Sequence, residues 1–330
     1  MTNENTERRP GAQSPAPNLR GILLPFPTPF DDSGDFDADA LRSNLRRWNE
    51  TGVGGYVALG STGERVHLEA DEYARVIETA RESVPRELLF VAGAGQHGTR
   101  ASVAEVRQAA RAGADAVLLI TPHFYRSAMS PDALAAQFEA VADESPVPVV
   151  IYSIPQNAGL AVSPETVARL AGHPNVVGLK DSSGDIVNLA ETLRLVPEDV
   201  SVLTGHGGTI YPALSAGARG GILAVGCAAP RLAVAVQRAF DAGRHESALV
   251  MQRRLAPLAK AVTVRYGVGG LKAALDLAGY AGGRVRAPLR MPDEDARREI
   301  ARLLDAAALT PDEEETFFGA QARESSARAS

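Results

Sequence analysis

The amino-acid sequence predicts an α/β fold, a (β/α)8 TIM barrel that carries a C-terminal helical extension. Eight short apolar runs alternate with stretches of helical period between residues 21 and 225. Such runs, separated by helices, are typical of parallel strands that are covered on both faces of the sheet. Eight consecutive units favour a closed barrel over an open doubly wound sheet. Residues 231–308 contain further helical stretches with no strand between them, of which the first would complete the barrel.

The predicted elements follow one another in a regular order. The expected strands are residues 21–26, 55–59, 88–92, 116–120, 147–152, 176–179, 201–203 and 221–225. The helices expected between them are residues 40–48, 70–82, 102–111, 131–142, 164–170, 186–195 and 209–216. Ser130 and Ser163 each precede a proline, the pattern of a helix N-cap followed by proline at the first helical position. Gly113 and Gly172 follow helix ends, where glycine commonly adopts a left-handed conformation.

The domain organisation follows from this order of elements. We expect a disordered N-terminal tail at residues 1–19, a catalytic barrel at 20–242, a C-terminal helical region at 243–309 and a flexible tail at 310–330. Both tails are rich in polar and charged residues, a composition that buries too little apolar surface to fold. Phe317 and Phe318 are exceptions within the second tail, and they could dock locally.

Composition excludes several classes of function. The chain has 330 residues, a net charge of −6 and a pI near 5.6, which argues against nucleic acid or an acidic membrane as a partner. The single cysteine, Cys227, allows no intrachain disulfide and fits a reducing, cytoplasmic location. No apolar run approaches the ~18 residues of a membrane helix, and residues 1–18 lack the apolar region of a secretory signal.

Lysine is almost absent from this chain. Of the 34 lysines and arginines, only Lys180, Lys260 and Lys272 are lysines. Burial can deprotonate a lysine, unlike an arginine, and the free amine is then a nucleophile. Lys180 ends an apolar run that we predict to be a buried strand, so it is a candidate for Schiff-base formation with a carbonyl substrate. The alternative is a strand-end lysine that reaches solvent in an arginine-rich chain.

The active site of a barrel of this kind lies where the strands end and the βα loops begin. No cluster of carboxylates occurs at these predicted strand ends. The hydroxyl, phenol and amine side chains found there include those of Lys180, Tyr152, Ser182, Ser61 and Thr62. This set suits amine–carbonyl chemistry better than metal binding. The six histidines likewise show no spacing that is typical of metal ligands, so no metal is expected.

Two glycine-containing turns follow the second and third predicted strands. In Gly60-Ser-Thr-Gly-Glu64, hydroxyls and exposed amides suit a carboxylate or a phosphate, although an ordinary helix cap explains them equally well. Gly93-Ala-Gly-Gln-His-Gly98 matches a dinucleotide-binding pattern. It lies in the third βα unit, however, and no acidic residue ends the next strand, so we interpret it as a tight barrel turn.

Several motifs occur in one order along the chain. They are Gly21 with Thr28-Pro29-Phe30, Gly60-Ser-Thr-Gly-Glu64, Gly113-Ala-Asp115, Thr121-Pro122, Tyr152-Ser-Ile-Pro155, Gly178-Leu-Lys180-Asp181, and Gly279-Tyr280 with Arg286-Ala-Pro288. Together they resemble the pyruvate-dependent class I aldolase superfamily, which includes dihydrodipicolinate synthase, N-acetylneuraminate lyase and 4-hydroxy-2-oxoglutarate aldolase. The resemblance extends from about residue 20 to residue 309.

This resemblance implies a lyase that needs neither a metal nor an organic cofactor. Lys180 would form a Schiff base with pyruvate, and Tyr152 would carry protons. Ser61 and Thr62 would hold the carboxylate of the substrate. The pocket would also be lined by Gly205 and Leu223. The usual assembly of the family would make the protein a homotetramer, built as a dimer of dimers.

Two departures from the family pattern bear on the substrate. After the Tyr-x-x-Pro motif, dihydrodipicolinate synthases carry an arginine that holds the carboxylate of the second substrate, and Gln156-Asn157 stand there instead. The family also usually has tyrosine at position 124, donated across a dimer interface, whereas this chain has Phe124. The hydroxyl relay to the proton carrier is then broken, or it is replaced by Tyr125, His123, Ser61 or water.

The local sequence around Tyr152 and after Ala261 is closer to that of the 4-hydroxy-2-oxoglutarate aldolases. We therefore expect a Schiff-base aldolase that acts on pyruvate and 4-hydroxy-2-oxo acids, with Asn157, Phe124 and Tyr125 near the second substrate. The alternatives are a 4-hydroxy-tetrahydrodipicolinate synthase, a sugar-acid aldolase or dehydratase, and a non-catalytic barrel that binds a 2-oxo acid.

Overall fold

The computed structural model describes residue 17 and residues 19–319. Eight parallel strands form a closed barrel in which each strand neighbours the next along the chain and the last pairs with the first. The predicted (β/α)8 fold is therefore confirmed. The strands are β1 (Gly21–Pro25), β2 (Gly55–Ala58), β3 (Leu89–Ala94), β4 (Ala116–Ile120), β5 (Val149–Ser153), β6 (Val176–Asp181), β7 (Ser201–Thr204) and β8 (Gly220–Ile222).

Helices cover the outside of the barrel and form the C-terminal region. They are α1 (Ala38–Trp48), α2 (Glu72–Ser83), α3 (Thr99–Arg111), α4 (Pro131–Glu144), α5 (Pro155–Ala158), α6 (Pro164–Ala171), α7 (Ile186–Leu195), α8 (Ile210–Ala216), α9 (Val225–Ala228), α10 (Pro230–Asp241), α11 (His245–Ala259), α12 (Gly267–Leu277) and α13 (Glu294–Ala307). A π-helical turn, Lys260–Arg265, extends α11. The expected strand at residues 221–225 is shorter than predicted because α9 begins at Val225.

Helix α1 shows how the sequence forms these outer helices. The side chain of Asp37 caps the helix by accepting a hydrogen bond of 2.9 Å from the backbone amide of Ala40. Leu41, Leu45 and Trp48 recur at helical spacing and are fully buried against the barrel. The indole nitrogen of Trp48 donates a hydrogen bond of 2.9 Å to a backbone carbonyl, so this large side chain leaves no polar group unsatisfied.

The predicted helix termini are mostly confirmed. Ser130 accepts a hydrogen bond from the backbone amide of Ala133, and Ser163 accepts one from that of Thr166. Gly113 has a φ of 99° and terminates α3 in the way that only glycine does easily. The same expectation for Gly172 is wrong, because its φ of −70° is right-handed and any residue could adopt it.

The barrel interior holds its own apolar cluster, distinct from the larger core between strands and helices. The interior cluster includes Leu23, Val57, Val91, Leu118, Val150, Leu203 and Ile222. Leu19 belongs to it as well and is 1% exposed, so the expected disordered tail does not extend to residue 19. Residues 1–16 and 18 of that expected tail lie outside the described residues.

The C-terminal tail also differs from its expectation. Residues 311–319 are helical, and the side chain of Phe318 is 4% exposed. The guanidinium groups of Arg238 and Arg231, both on α10, lie 4.6 and 5.0 Å from the centre of the Phe318 ring. Arg254 pairs with Glu313 at 2.7 Å. The expected flexible tail at 310–330 is therefore wrong up to residue 319, and its remaining residues lie outside the description.

No helix in the described part of the chain is long and apolar enough to cross a membrane.

Candidate active site

The candidate site lies at the carboxyl ends of β5 and β6. Lys180 and Tyr152 are register partners on these adjacent parallel strands, and each is 4% exposed. The ammonium nitrogen of Lys180 lies 4.2 Å from the centre of the Tyr152 ring. Residues in register on neighbouring strands point to the same face of the sheet, so this pairing brings the two side chains together. Among the described residues, no carboxylate forms an ion pair with Lys180.

The hydroxyl of Tyr152 faces the turn that follows β2. Its oxygen lies 3.4 Å from Oγ of Ser61, a long hydrogen bond between two groups that can both donate and accept. Thr62 lies in the same short 3₁₀ turn, Ser61–Gly63, and is half-buried. Thr28 stabilises this turn, because its hydroxyl donates a hydrogen bond of 2.7 Å to the carbonyl of Gly63.

Gly205 allows close approach between β6 and β7. A Cβ atom at this position would lie 2.9 Å from Cε of Lys180 and would overlap Oγ of Ser182. No larger residue fits there without displacing the lysine. Leu223 is fully buried just after β8, in the core rather than on the surface of a pocket. The predicted pocket residues Gly205 and Ser182 therefore lie close to one another beside Lys180, whereas Leu223 is part of the buried core.

The carboxylate next to Lys180 has a structural role. Asp181 is 3% exposed and accepts two hydrogen bonds from Ser183, one from its amide at 2.8 Å and one from its hydroxyl at 2.9 Å. Burial raises the pKa of Asp181 above its ordinary value, and the hydrogen bonds from Ser183 oppose that rise. Asp181 therefore fixes the chain after β6 rather than pairing with the lysine.

A cavity of about 230 Å³ opens beside the tyrosine. Its walls include Ser61, Tyr152, Asn157, His123 and Arg65. This volume suits a small organic acid rather than a nucleotide. The sequence predicted the first three residues in the site and offered His123 as a possible replacement for the relay tyrosine. It missed Arg65, which lies in the turn after Glu64 and whose guanidinium pairs with Glu105 of α3 at 2.6 Å.

Phe124 and Tyr125 do not line this cavity. Each is 71% exposed, and their rings pack edge to face with centres 5.0 Å apart. Of the groups considered as a replacement for the usual relay tyrosine, Tyr125 points into solvent within one chain. His123 lies on the cavity wall, and Ser61 is the hydroxyl next to Tyr152. The described residues contain no group of three or more His, Cys, Asp or Glu side chains that could hold a metal ion.

These features match a known family. The sequence matches the dihydrodipicolinate synthetase family over residues 18–307. The chain belongs to this family. A 4-hydroxy-tetrahydrodipicolinate synthase of Rhizobium meliloti is 36% identical over 296 residues, which cover 88% of this chain and 97% of that protein. The 4-hydroxy-tetrahydrodipicolinate synthase of Syntrophus aciditrophicus is 33% identical over 286 residues, which cover 87% and 97%.

Solved structures agree with this assignment. The crystal structure of dihydrodipicolinate synthase from Thermotoga maritima aligns with a TM-score of 0.84 at 29% identity, covering 87% of this chain and 98% of that one. Membership of the dihydrodipicolinate synthetase family makes the protein an enzyme, a carbon–carbon lyase of the aldolase type. The expected superfamily is confirmed. The finer expectation, a closest relationship to the 4-hydroxy-2-oxoglutarate aldolases, is not confirmed, since these relatives are named as synthases.

Proposed function

We propose that Lys180 forms a Schiff base with pyruvate and that the enzyme joins the resulting enamine to an aldehyde, as a 4-hydroxy-tetrahydrodipicolinate synthase does. The observation that carries this proposal is the buried, carboxylate-free amine of Lys180, 4.2 Å from the centre of the Tyr152 ring. Among the described residues, this lysine has no carboxylate partner, and its neighbour is a phenol. The names of the relatives support the same reaction.

Each step then has a group to perform it. The amine of Lys180 adds to the keto carbon of pyruvate, and loss of water leaves an iminium that withdraws electrons from C3. Loss of a C3 proton gives the enamine, whose C3 adds to the aldehyde carbon while the aldehyde oxygen takes up a proton. Tyr152 moves protons to and from these oxygens. Ser61 and Thr62 hold the carboxylate and fix the orientation of the imine. Addition of water finally releases the product from Lys180.

Arg126 supports an aldehyde partner that carries a carboxylate, such as aspartate semialdehyde. It lies in the short turn Arg126–Ala128 after β4, and its guanidinium packs against Gly159, just beyond Asn157. A Cβ atom at Gly159 would lie 2.9 Å from Cδ of Arg126. No ion pair to Arg126 occurs within the described residues. From this position the guanidinium of Arg126 could bind a carboxylate, the role of the arginine that synthases carry where this chain has Asn157.

The second candidate function is the cleavage of a 4-hydroxy-2-oxo acid to pyruvate and an aldehyde. Asn157 favours it, because this amide lies on the cavity wall at the position where synthases carry their carboxylate-binding arginine. The same Schiff base and the same enamine serve both reactions, so the residues at the cavity mouth, Asn157 and Arg126, would select the second substrate. A sugar-acid substrate would contact the same two residues.

One experiment tests the Schiff base and then separates the two candidates. Borohydride reduction with pyruvate should add one adduct per chain, read by intact mass, and no adduct would refute the mechanism. Specificity constants are then measured side by side for pyruvate with aspartate semialdehyde and for a 4-hydroxy-2-oxo acid. We expect the condensation to be the faster, and Arg126→Gln to lower it by about tenfold or more, since a charge-assisted contact is lost. Faster cleavage, unaffected by Arg126→Gln, would favour the second candidate.

The assembly is part of this proposal. The two exposed aromatic rings, Phe124 and Tyr125, lie side by side near the mouth of the cavity, as expected of a subunit interface. A homotetramer, built as a dimer of dimers, therefore remains our prediction, and so does the cytoplasmic location. Sedimentation of the purified protein measures the first directly.

A further inference from the structure

The turn that carries Ser61 and Thr62 is bracketed by unusual backbone. Leu59 and Glu64 are the only non-glycine residues with positive φ in the described part of the chain, at 54° and 53°. A non-glycine residue in this conformation costs of order 1–3 kcal/mol and persists only where its surroundings hold it. The strain therefore marks both ends of the turn that we propose binds the carboxylate of pyruvate.

The side chain of Glu64 is held by several groups at once. Its Oε1 lies 2.6 Å from Nζ of Lys272, and the two side chains are 1% and 0% exposed. Its Oε2 accepts a hydrogen bond of 3.0 Å from the backbone amide of Arg286 and lies 3.2 Å from Nδ1 of His67. The carboxylate is thus fixed from two directions by residues of the C-terminal region, whose numbers differ from its own by more than 200.

The remaining contacts of Lys272 lie outside the cavity. Its ammonium also donates to the carbonyl of Arg284 and lies 4.4 Å from the centre of the Phe30 ring. It does not line the cavity beside Tyr152. A buried ion pair is a costly way to gain stability, since apolar residues of similar volume often serve as well or better. The geometry of the Lys272–Glu64 pair points to a different role, which is to fix the position of the backbone at Glu64.

We propose that Lys272 is a positioning residue, which acts through Glu64 to hold the Ser61–Thr62 turn in the conformation that binds the substrate carboxylate. This inference rests on the proposed function, because it requires that the turn receives the carboxylate of pyruvate. Lys272 pulls the Glu64 side chain towards α12, and the left-handed backbone of Glu64 keeps the preceding hydroxyls and amides directed at the cavity. Without the pair, residues 60–64 would relax towards unstrained backbone, and the carboxylate contacts would lengthen.

The test compares Lys272→Met with a control that breaks a partly buried ion pair elsewhere in the barrel. Arg81 pairs with Asp115 at 3.2 Å, before β4 begins and so at the opposite end of the barrel from the cavity. Lys272→Met should raise the KM for pyruvate by about tenfold to a hundredfold, the worth of a hydrogen bond to a charged group. Turnover at saturating pyruvate should change little, since the carboxylate contact binds ground state and transition state alike. Arg81→Met should lower thermal stability but leave this KM unchanged.

Glu64→Gln provides a second variant of nearly native shape, in case Lys272→Met does not fold. It should raise the same KM in the same direction while leaving turnover at saturation similar. A wild-type KM in whichever of these two variants folds would overturn the inference, and so would an equal rise in Arg81→Met. Failure of the underlying function is seen separately, since wild-type enzyme would then give no borohydride adduct with pyruvate.

Discussion

Lys180 and Lys272 are both buried lysines, and their surroundings are opposite. Lys180 lies beside the ring of Tyr152, a residue that lines the cavity, and no carboxylate of the described residues pairs with it. Lys272 is instead enclosed and pairs with Glu64 at 2.6 Å. Burial lowers the pKa of Lys272, and the charge of Glu64 opposes this effect. Desolvation alone would therefore single out Lys272 as the better nucleophile. Under our proposal, nearness to the cavity and the lack of a carboxylate partner, in addition to burial, favour Lys180 as the lysine that reacts.

The largest expected effect tests this contrast directly. Lys180→Arg and Lys180→Ala should abolish both activity and the borohydride adduct, because neither side chain offers an amine that can lose its proton. Lys260→Arg, at an exposed position, is the matched control and should keep both. Peptide mass mapping of the reduced wild-type enzyme checks the position. An adduct on Lys272 would reverse the roles that we assign to the two lysines.

The next effect concerns the phenol that accompanies only one of the two lysines. Tyr152→Phe should retain the adduct at Lys180 but lower turnover by about 10² to 10⁴, the usual contribution of a positioned acid–base group. The ring, and with it the packing against the amine, is preserved in this variant. Turnover at the wild-type rate would mean that another group, such as Ser61 or His123, carries the proton.

The smallest expected effect concerns the ion pair between Glu72 and Arg286, which adjoins the Lys272–Glu64 pair. Glu72 receives two hydrogen bonds from Arg286, one of them 2.6 Å long, and this contact holds the pKa of Glu72 below its ordinary value of 4.5. A depressed carboxyl pKa stabilises the fold above pH 4.5, and the contribution is lost as the pH falls through the folded value. Glu72→Gln should therefore lower the free energy of unfolding at pH 7 by about 1–3 kcal/mol.

Urea unfolding at several pH values measures that difference. The difference in unfolding free energy between wild type and Glu72→Gln should shrink as the pH falls below 4.5. It should vanish once the carboxylate of Glu72 is protonated in the folded protein. A gap that stays constant with pH would show that the variant acts through packing rather than through the charge of Glu72.

Much of the barrel and the centre of the site could be predicted from sequence. The carboxyl ends of parallel strands meet at one end of a barrel, so Lys180, Tyr152 and Ser61 had to lie near one another once the strands were recognised. The strands themselves were visible because both of their faces are buried, which makes each a continuous apolar run.

The rest depends on contacts between distant residues. Nothing near Lys272 in the sequence indicates that its partner is Glu64. The helix at residues 311–319 has a polar composition typical of a tail, and it is ordered because Phe318 fits beneath two arginines of α10. Phe124 and Tyr125 were expected at the substrate, but each is 71% exposed and neither lines the cavity.

The anchoring of Glu64 also has a consequence for the order of events during synthesis. The carboxylate of Glu64 and the amide of Arg286 that it accepts from are 222 residues apart in the chain. At ribosomal rates, the second appears roughly 10 to 45 s after the first. All eight strands have been translated before Arg286 appears, yet the turn beside Tyr152 still lacks the contacts of Glu64 with Lys272 and Arg286. If Lys272 and Arg286 position this turn as we propose, the nascent barrel binds its substrate fully only after residue 286 has left the ribosome.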